Sequence, residues 1–279
     1  MKKNNDFLIG AHVSISGGLS NACLRAYELD TDCFQIFVKN NRQWNAKKLS
    51  EIEISEFKTN IKKYSIKYPI AHATYLINLC SSDEEIRKKS YKCLEYELMA
   101  STELNIPYLI LHPGSTDKEY IKCISSAINK IYETNNIKTE LLLETMAGQG
   151  NSIGHKFENL KDIYDEIKPK EKIGFCFDTC HVFAAGYDIS TTEKFNNTID
   201  KFDQVLGLEN LKVFHLNDSK KDCNSKVDRH EHLGLGRIGL ELFQMIMNDK
   251  RFKNIPKIIE TPKESEFDDM NNLNVLRNS

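Results

Sequence analysis

The sequence predicts an α/β fold, a single-domain (β/α)8 TIM barrel. Three observations point to it. Eight short apolar runs, rich in Ile, Leu, Val or Phe, recur over roughly 250 residues, the usual span of such a barrel. Longer amphipathic segments follow them. No Pro/Gly/Ser-rich linker divides the chain, so residues 1–279 read as one domain. A doubly wound open sheet is the alternative, but it normally uses fewer strands for this length.

The elements follow in order. The first run, Phe7–Val13, is interrupted by Gly10 and His12. The helix predicted next, Leu19–Leu29, puts Leu19, Ala22, Cys23, Ala26 and Leu29 on one face. After the run Cys33–Val38, a helix over Ser50–Tyr64 opens with the capping-box pattern Ser50-x-x-Glu53. The run Tyr68–His72 leads to a long helix, Asp83–Leu104, charged at its start and ended before Pro107. Then come Tyr108–His112 with a helix over Asp117–Tyr132, and Glu140–Glu144 with a helix over Lys156–Ile167. Ile173–Asp178 precedes a helix over Thr192–Leu206, and Leu211–Leu216 precedes one over Leu240–Asp249. Lys257–Glu260 is the eighth run. Residues 263–279 read as a short polar C-terminal tail with at most one short helix.

Composition narrows the function. Hydrophobic residues at 40% and charged residues at 28% exclude collagenous, disordered and membrane-spanning chains. Lys plus Arg is 38 against 40 for Asp plus Glu, a net charge of -2, so no globally basic nucleic-acid binder is signalled. A local basic face or bound cations can still supply a positive field. The eight Cys residues form no Cys-x-x-Cys pair, and those in apolar runs, such as Cys33 and Cys176, read as reduced buried thiols. The polar start, Met1 to Asp6, carries neither a signal peptide nor a transmembrane pattern, so no membrane partner is expected.

The informative feature is where polar residues fall. His72, His112, Glu144, Asp178, His215 and Glu260 each sit at or next to the carboxyl end of an apolar run. In a barrel those ends meet on the face where catalytic residues sit. His181 lies three residues after Asp178, and Asp228 and His230 lie in the loop after the seventh strand. A lone His or Glu at a strand end is usually a satisfied structural residue. Nine convergent ones, holding five of the eight histidines, are costly without cations. His and carboxylate donors suit Zn2+, with Mn2+ or Fe2+ as alternatives, and roughly three donors per ion suggest three metals.

At these residues the chain resembles the endonuclease IV family, metal-dependent apurinic/apyrimidinic (AP) endonucleases of base-excision repair. The carrying segments are Ile9-Gly-Ala-His-Val-Ser14, Phe37-Val-Lys-Asn-Asn-Arg-Gln-Trp44, His72-Ala-Thr-Tyr-Leu-Ile-Asn-Leu79 and Leu111-His-Pro-Gly-Ser115. They continue with Leu143-Glu-Thr-Met-Ala-Gly-Gln-Gly150, the run Phe177–Asp188 with its Asp-Thr-Cys-His, Phe214-His-Leu-Asn-Asp-Ser219 and Asp228-Arg-His-Glu-His-Leu-Gly-Leu-Gly236. The resemblance implies a xylose-isomerase-like barrel with three zinc ions. One would be held by His72, His112 and Glu144. A second would be held by Glu144, Asp178, His215 and Glu260, with Glu144 bridging. His181, Asp228 and His230 would hold the third.

The implied activity is hydrolysis of duplex DNA 5′ to an abasic site, leaving a 3′-hydroxyl and a 5′-deoxyribose phosphate, with cleaning of blocked 3′ ends. Glu144 and Glu260 are the catalytic candidates, Glu260 being best placed to assist water deprotonation. Arg42, Tyr75 and Leu76 match the positions that enter the DNA minor groove at the abasic gap. Without the resemblance they read as a surface charge, a half-buried wall residue and core. Lys39, Arg229 and Arg237 are further candidates for phosphate contact. A monomer is expected, in the cytoplasm of a prokaryote, or in the nucleus or an organelle of a eukaryote.

His12 is an even choice for a residue behind the ligands, His232 reads as a loop or supporting residue, and His155 as structural at a helix start. Cys180 reads as packing. The competing function is a sugar isomerase or epimerase, which would use Glu144, Asp178, His215 and Glu260 but does not require the other five positions. A non-enzymatic barrel is the third, and it would be expected to have lost ligands.

Overall fold

Strand pairing in the computed structural model runs through eight parallel strands: β1 (Ile9–Ala11), β2 (Cys33–Ile36), β3 (Tyr68–His72), β4 (Tyr108–Leu111), β5 (Glu140–Glu144), β6 (Ile173–Asp178), β7 (Leu211–His215) and, after a short antiparallel ribbon of β8 (Asp218–Ser219) and β9 (His230–Glu231), β10 (Lys257–Ile259). The structure describes residues 7–116 and 121–279. The sheet order is β1-β10-β7-β6-β5-β4-β3-β2, and a parallel bridge between His12 and Gln35 joins its two edges. The barrel is thus nearly closed, and strands β1 and β2 meet at a seam. Several strands stop one or two residues short of their apolar runs, because the chain leaves the ladder to enter the loops above.

Helices accompany the strands, most of them covering the outside. They are α1 (Ser20–Glu28), α2 (Glu51–Lys63), α3 (Glu84–Glu103), α4 (Ile121–Thr134), α5 (Phe157–Asp165), α6 (Thr179–Ala185), α7 (Thr192–Leu206), α8 (Leu240–Asn248) and α9 (Asp268–Arg277). The capping box of α2 is complete. Glu53 N–H donates to Ser50 Oγ at 3.3 Å, and Ser50 N–H donates to the Glu53 carboxylate at 2.8 Å. Asp83 caps α3 by accepting from Glu85 and Ile86 N–H. The first residues of the helix predicted over Asp117–Tyr132, 117–120, lie outside the described residues. The 263–279 segment carries α9, whose Leu273 and Leu276 are buried against the core. No described helix is long and apolar enough to cross a membrane.

Successive strand residues point to opposite sides, so the pleat sorts each strand into two sets. One set meets the helices, in a layer that includes Phe34, Phe175, Phe177 and Phe214. The other points inward. Cys33, Ile70, Ile110, Leu142, Cys176, Val213 and Ile258 form a separate buried cluster, with one residue from each of seven strands. In β1 the equivalent position is Gly10, where a Cβ would come within 2.1 Å of the Cys33 carbonyl oxygen, so only glycine fits. This cluster plugs the barrel. Two residues further along each strand, on the same inward side, stand His12, Gln35, His72, His112, Glu144, Asp178, His215 and Glu260. The period of two therefore lifts a ring of polar side chains onto the apolar floor.

Candidate metal centre

Glu144 lies at the centre of the ring and is fully buried. Its Oε2 is 3.1 Å from His72 Nε2 and 3.0 Å from His112 Nε2. Its Oε1 is 2.8 Å from His215 Nδ1. That nitrogen is also 3.4 Å from Glu260 Oε2 and 3.8 Å from Asp178 Oδ2. A third group adjoins these two. His181 Nε2 is 3.1 Å from Asp228 Oδ2, and His230 Nε2 is 3.3 Å from Asp228 Oδ1 and 3.8 Å from Asp178 Oδ2. The structure thus brings all nine candidate residues into one continuous cluster.

Local folding aims each donor. Asp178 caps α6: its Oδ1 accepts His181 N–H at 2.7 Å, and this turn delivers His181 three residues on. Helix α6 ends at Gly186 with φ of 105°, the left-handed C-cap favoured by glycine. His72, His181 and His230 each donate Nδ1–H to a main-chain carbonyl, of Ala73 (2.7 Å), Thr145 (2.9 Å) and Glu260 (3.0 Å), so Nε2 faces inward. His215 is turned the other way. Its Nε2–H donates to Gln35 Oε1 at 2.8 Å, leaving Nδ1 for the cluster.

The charges are interdependent. Burial opposes ionisation of Glu144, yet the surrounding imidazoles, His215 first, hold its carboxyl well below the usual range. Burial likewise opposes protonation of His181 and His215, but Asp178 and Asp228 at His181, and Cys176 followed by Glu260 and Glu144 at His215, hold both well above 6.5. His230 follows the same pattern and reaches about 9 through Asp228 and Asp178.

Comparison with known proteins decides the family. A family model described as a xylose isomerase-like TIM barrel matches residues 23–278. The probable endonuclease 4 of Chloroflexus aurantiacus is 44% identical over 274 residues, 96% of each chain. The chain belongs to the endonuclease IV family. Another relative, apurinic-apyrimidinic endonuclease 1 of Plasmodium falciparum, is 43% identical over 93% of this chain, which spans 45% of that protein. The solved endonuclease IV of Thermus thermophilus superposes with a TM-score of 0.87 at 34% identity, covering 97% of each chain. A D-tagatose 3-epimerase-like protein superposes with a TM-score of 0.72 at 21% identity, over 98% of this chain and 96% of that one, and shares the fold.

The donor set of this endonuclease IV family member fits divalent cations. Two donors, each about 2 Å from one ion at the tetrahedral angle, stand about 3.3 Å apart. The separations above, 2.8–3.8 Å, bracket that value. His181 Nε2 and His230 Nε2 are buried and, although 3.1 Å and 3.3 Å from Asp228 oxygens, make no hydrogen bond of good geometry. Inward lone pairs of this kind are what a metal ligand presents. Cys180 Sγ approaches the Asp228 and His230 donors, but burial pushes its thiol up to about 12, so it stays protonated and packs.

Three supporting residues escaped the sequence reading. Gln35 accepts from His215 and donates to Glu260 Oε1 at 2.6 Å and to His12 Nδ1 at 2.9 Å, so one amide orients two of the nine and brings His12 behind them. Asn217 donates to Asp178 Oδ2 at 2.7 Å and accepts Glu260 N–H at 2.8 Å. The Thr145 carbonyl accepts from His181 Nδ1–H, and its Oγ1 accepts from Asp178 N–H. The ring register carries a signal for Gln35, a polar residue two after Cys33 inside an apolar run. Asn217 and Thr145 carry none of that kind.

The remaining candidates sort clearly. Tyr75 is 57% exposed, and its ring stands 5.4 Å from that of His72 and 5.3 Å from that of His112, at the lip of the cluster. Arg42 is exposed and Leu76 half-buried. Lys39 does not fit a phosphate contact: it is 7% exposed and faces Glu97. Arg229 and Arg237 are exposed. His232 Nδ1 accepts from Asn272 on α9, and His155 donates to Ser152 just before α5.

Proposed function

We propose that this chain is a three-zinc AP endonuclease that hydrolyses duplex DNA 5′ to abasic sites. It leaves a 3′-hydroxyl and a 5′-deoxyribose phosphate and also clears blocked 3′ ends. Its partner is damaged DNA, and it acts as a monomer wherever the genome is: the cytoplasm of a prokaryote, or the nucleus or an organelle of a eukaryote. The supporting observation is the third group, His181, Asp228 and His230, set beside the four-residue set Glu144, Asp178, His215 and Glu260. A sugar epimerase has use for the four alone.

His72, His112 and Glu144 would hold one ion; Glu144, Asp178, His215 and Glu260 a second; His181, Asp228 and His230 a third. Mn2+ or Fe2+ can replace zinc at some positions. Bound ions supply a lowered water pKa and charge neutralisation for the phosphodiester and the departing oxygen. The chain supplies the rest. Glu144 joins the first two groups through its two oxygens. Burial works against ionisation of Glu260, but His215 and the His12 contact hold its carboxyl far below the usual range. It is therefore ionised and only 13% exposed: Gln35 fixes Oε1, and Oε2, 3.4 Å from His215 Nδ1, is the oxygen left to face the second ion and a water beside it. Arg42, Tyr75 and Leu76 read the gap left by the missing base, where unstacking is cheapest. Exposed Arg229 and Arg237 offer charge to phosphates.

The test is nicking of a duplex with a single abasic analogue, with end-group and elemental analysis. A 3′-hydroxyl product, an untouched intact duplex and three zinc equivalents per chain are expected. Active protein with one ion or none, or no nicking alongside rapid turnover of a ketose, overturns the proposal.

Ala substitution of both Arg42 and Tyr75 is expected to weaken abasic-duplex binding by at least about tenfold while metal content stays whole, since stacking alone is worth about 1–3 kcal/mol per base. Wild-type affinity in the double variant, read by fluorescence anisotropy, would return both residues to ordinary surface roles.

A further inference from the structure

One buried carboxylate lies outside the metal cluster and beneath the loops that carry Arg42 and Tyr75. Glu97, on α3, is 1% exposed. Its Oε2 accepts Thr74 N–H at 3.1 Å, in the loop after β3. Its Oε1 is 3.5 Å from Lys39 Nζ, in the loop after β2, and Cys93 Sγ lies 3.5 Å from the same oxygen. The Lys39 ammonium in turn donates to the Asn40 and Gln43 carbonyls, on either side of Arg42. Thr74 Oγ1 donates to the Asn41 carbonyl at 2.5 Å, tying the loops to each other. Tyr96, next to Glu97, donates its hydroxyl to the Lys47 carbonyl at 2.7 Å further along the first loop.

Such a pair is an expensive way to stabilise a fold, because both ions are desolvated. Burial pushes the Glu97 carboxyl up to about 7 even with Lys39 beside it. Its geometric return is specific: a single side chain of the third helix fixes two loops from successive strands.

We infer that the Glu97–Lys39 pair is a positioning clamp that sets the spacing of Arg42 and Tyr75 over the metal cluster and thereby sets the affinity for abasic DNA. The inference rests on the proposed function, and one of its readouts is independent of DNA. Trp44, the only tryptophan, lies half-buried in the first loop and packs against the core. Its emission and acrylamide quenching report that loop alone.

The variants are Glu97→Gln and the double variant Lys39→Met with Glu97→Leu. The double variant replaces the ion pair by apolar volume, which preserves folding where a lone buried charge would not. Both are expected to expose Trp44 to quencher and to raise KM for abasic duplex about tenfold, with kcat within about twofold and metal content whole, the signature of lost ground-state positioning. Wild-type quenching and KM in either folded variant overturn the clamp, as does a fall in kcat with KM unchanged. Loosened Trp44 in the variants, together with no abasic cleavage by the wild-type protein, overturns the proposed substrate and upholds the clamp.

Discussion

Replacing Glu144 by alanine is expected to lower cleavage of abasic DNA by a factor on the order of 10³ or more in kcat, beyond the 10²–10³ typical of one lost electrostatic contact. Its two oxygens face different groups, His72 and His112 on one side and His215 on the other. No other side chain among the nine spans both. Elemental analysis is therefore expected to fall from three equivalents to about one, the ion beside His181, Asp228 and His230 remaining. Glu144→Gln keeps the shape and separates loss of a ligand from collapse of the space. A variant that keeps three equivalents and the wild-type single-turnover rate would remove Glu144 from the centre.

Asp228→Ala or His230→Ala is expected to cost on the order of 10²–10³ in kcat with little change in KM. An ion in this group would act on charge that develops as the phosphodiester breaks, and such an interaction is stronger in the transition state than in the bound substrate. One metal equivalent is expected to be lost. The barrel should survive, since Asp228 is 38% exposed in its side chain and sits in a loop above the plugged core. Single-turnover cleavage paired with metal analysis decides. Loss of one equivalent with a wild-type rate would make the third ion structural and the three-metal mechanism wrong.

Much of the architecture is written in two periodicities. Strand positions followed from apolar runs such as Glu140–Glu144, and the start of α2 from Ser50, whose capping box satisfies free N–H groups. Six of the nine ligand-type residues were legible because each falls at or next to the end of a run, on the inward side. What stayed hidden depends on partners distant in the chain. Lys39 reads as a loop charge available to phosphate, since nothing nearby reveals that Glu97 will lie beneath it. Helix α6 has no counterpart among the helices expected from the sequence, because its seven residues, all buried, show no polar face to reveal a period. Gln35 was absorbed into an apolar run, although its place two residues after Cys33 matches that of Glu144 after Leu142.

The order of the donors along the chain gives the centre a timetable. His72, His112 and Glu144 are all synthesised by residue 144, and His181, Asp228 and His230 by residue 230. The set of Glu144, Asp178, His215 and Glu260 waits for β10, the last strand to join the sheet between β7 and β1. A nascent or truncated chain ending before Glu260 thus carries every donor of the first and third groups but not of the second. Under the proposed function such a chain would lack Glu260 and with it the second ion, so cleavage would wait until the last strand closes the barrel.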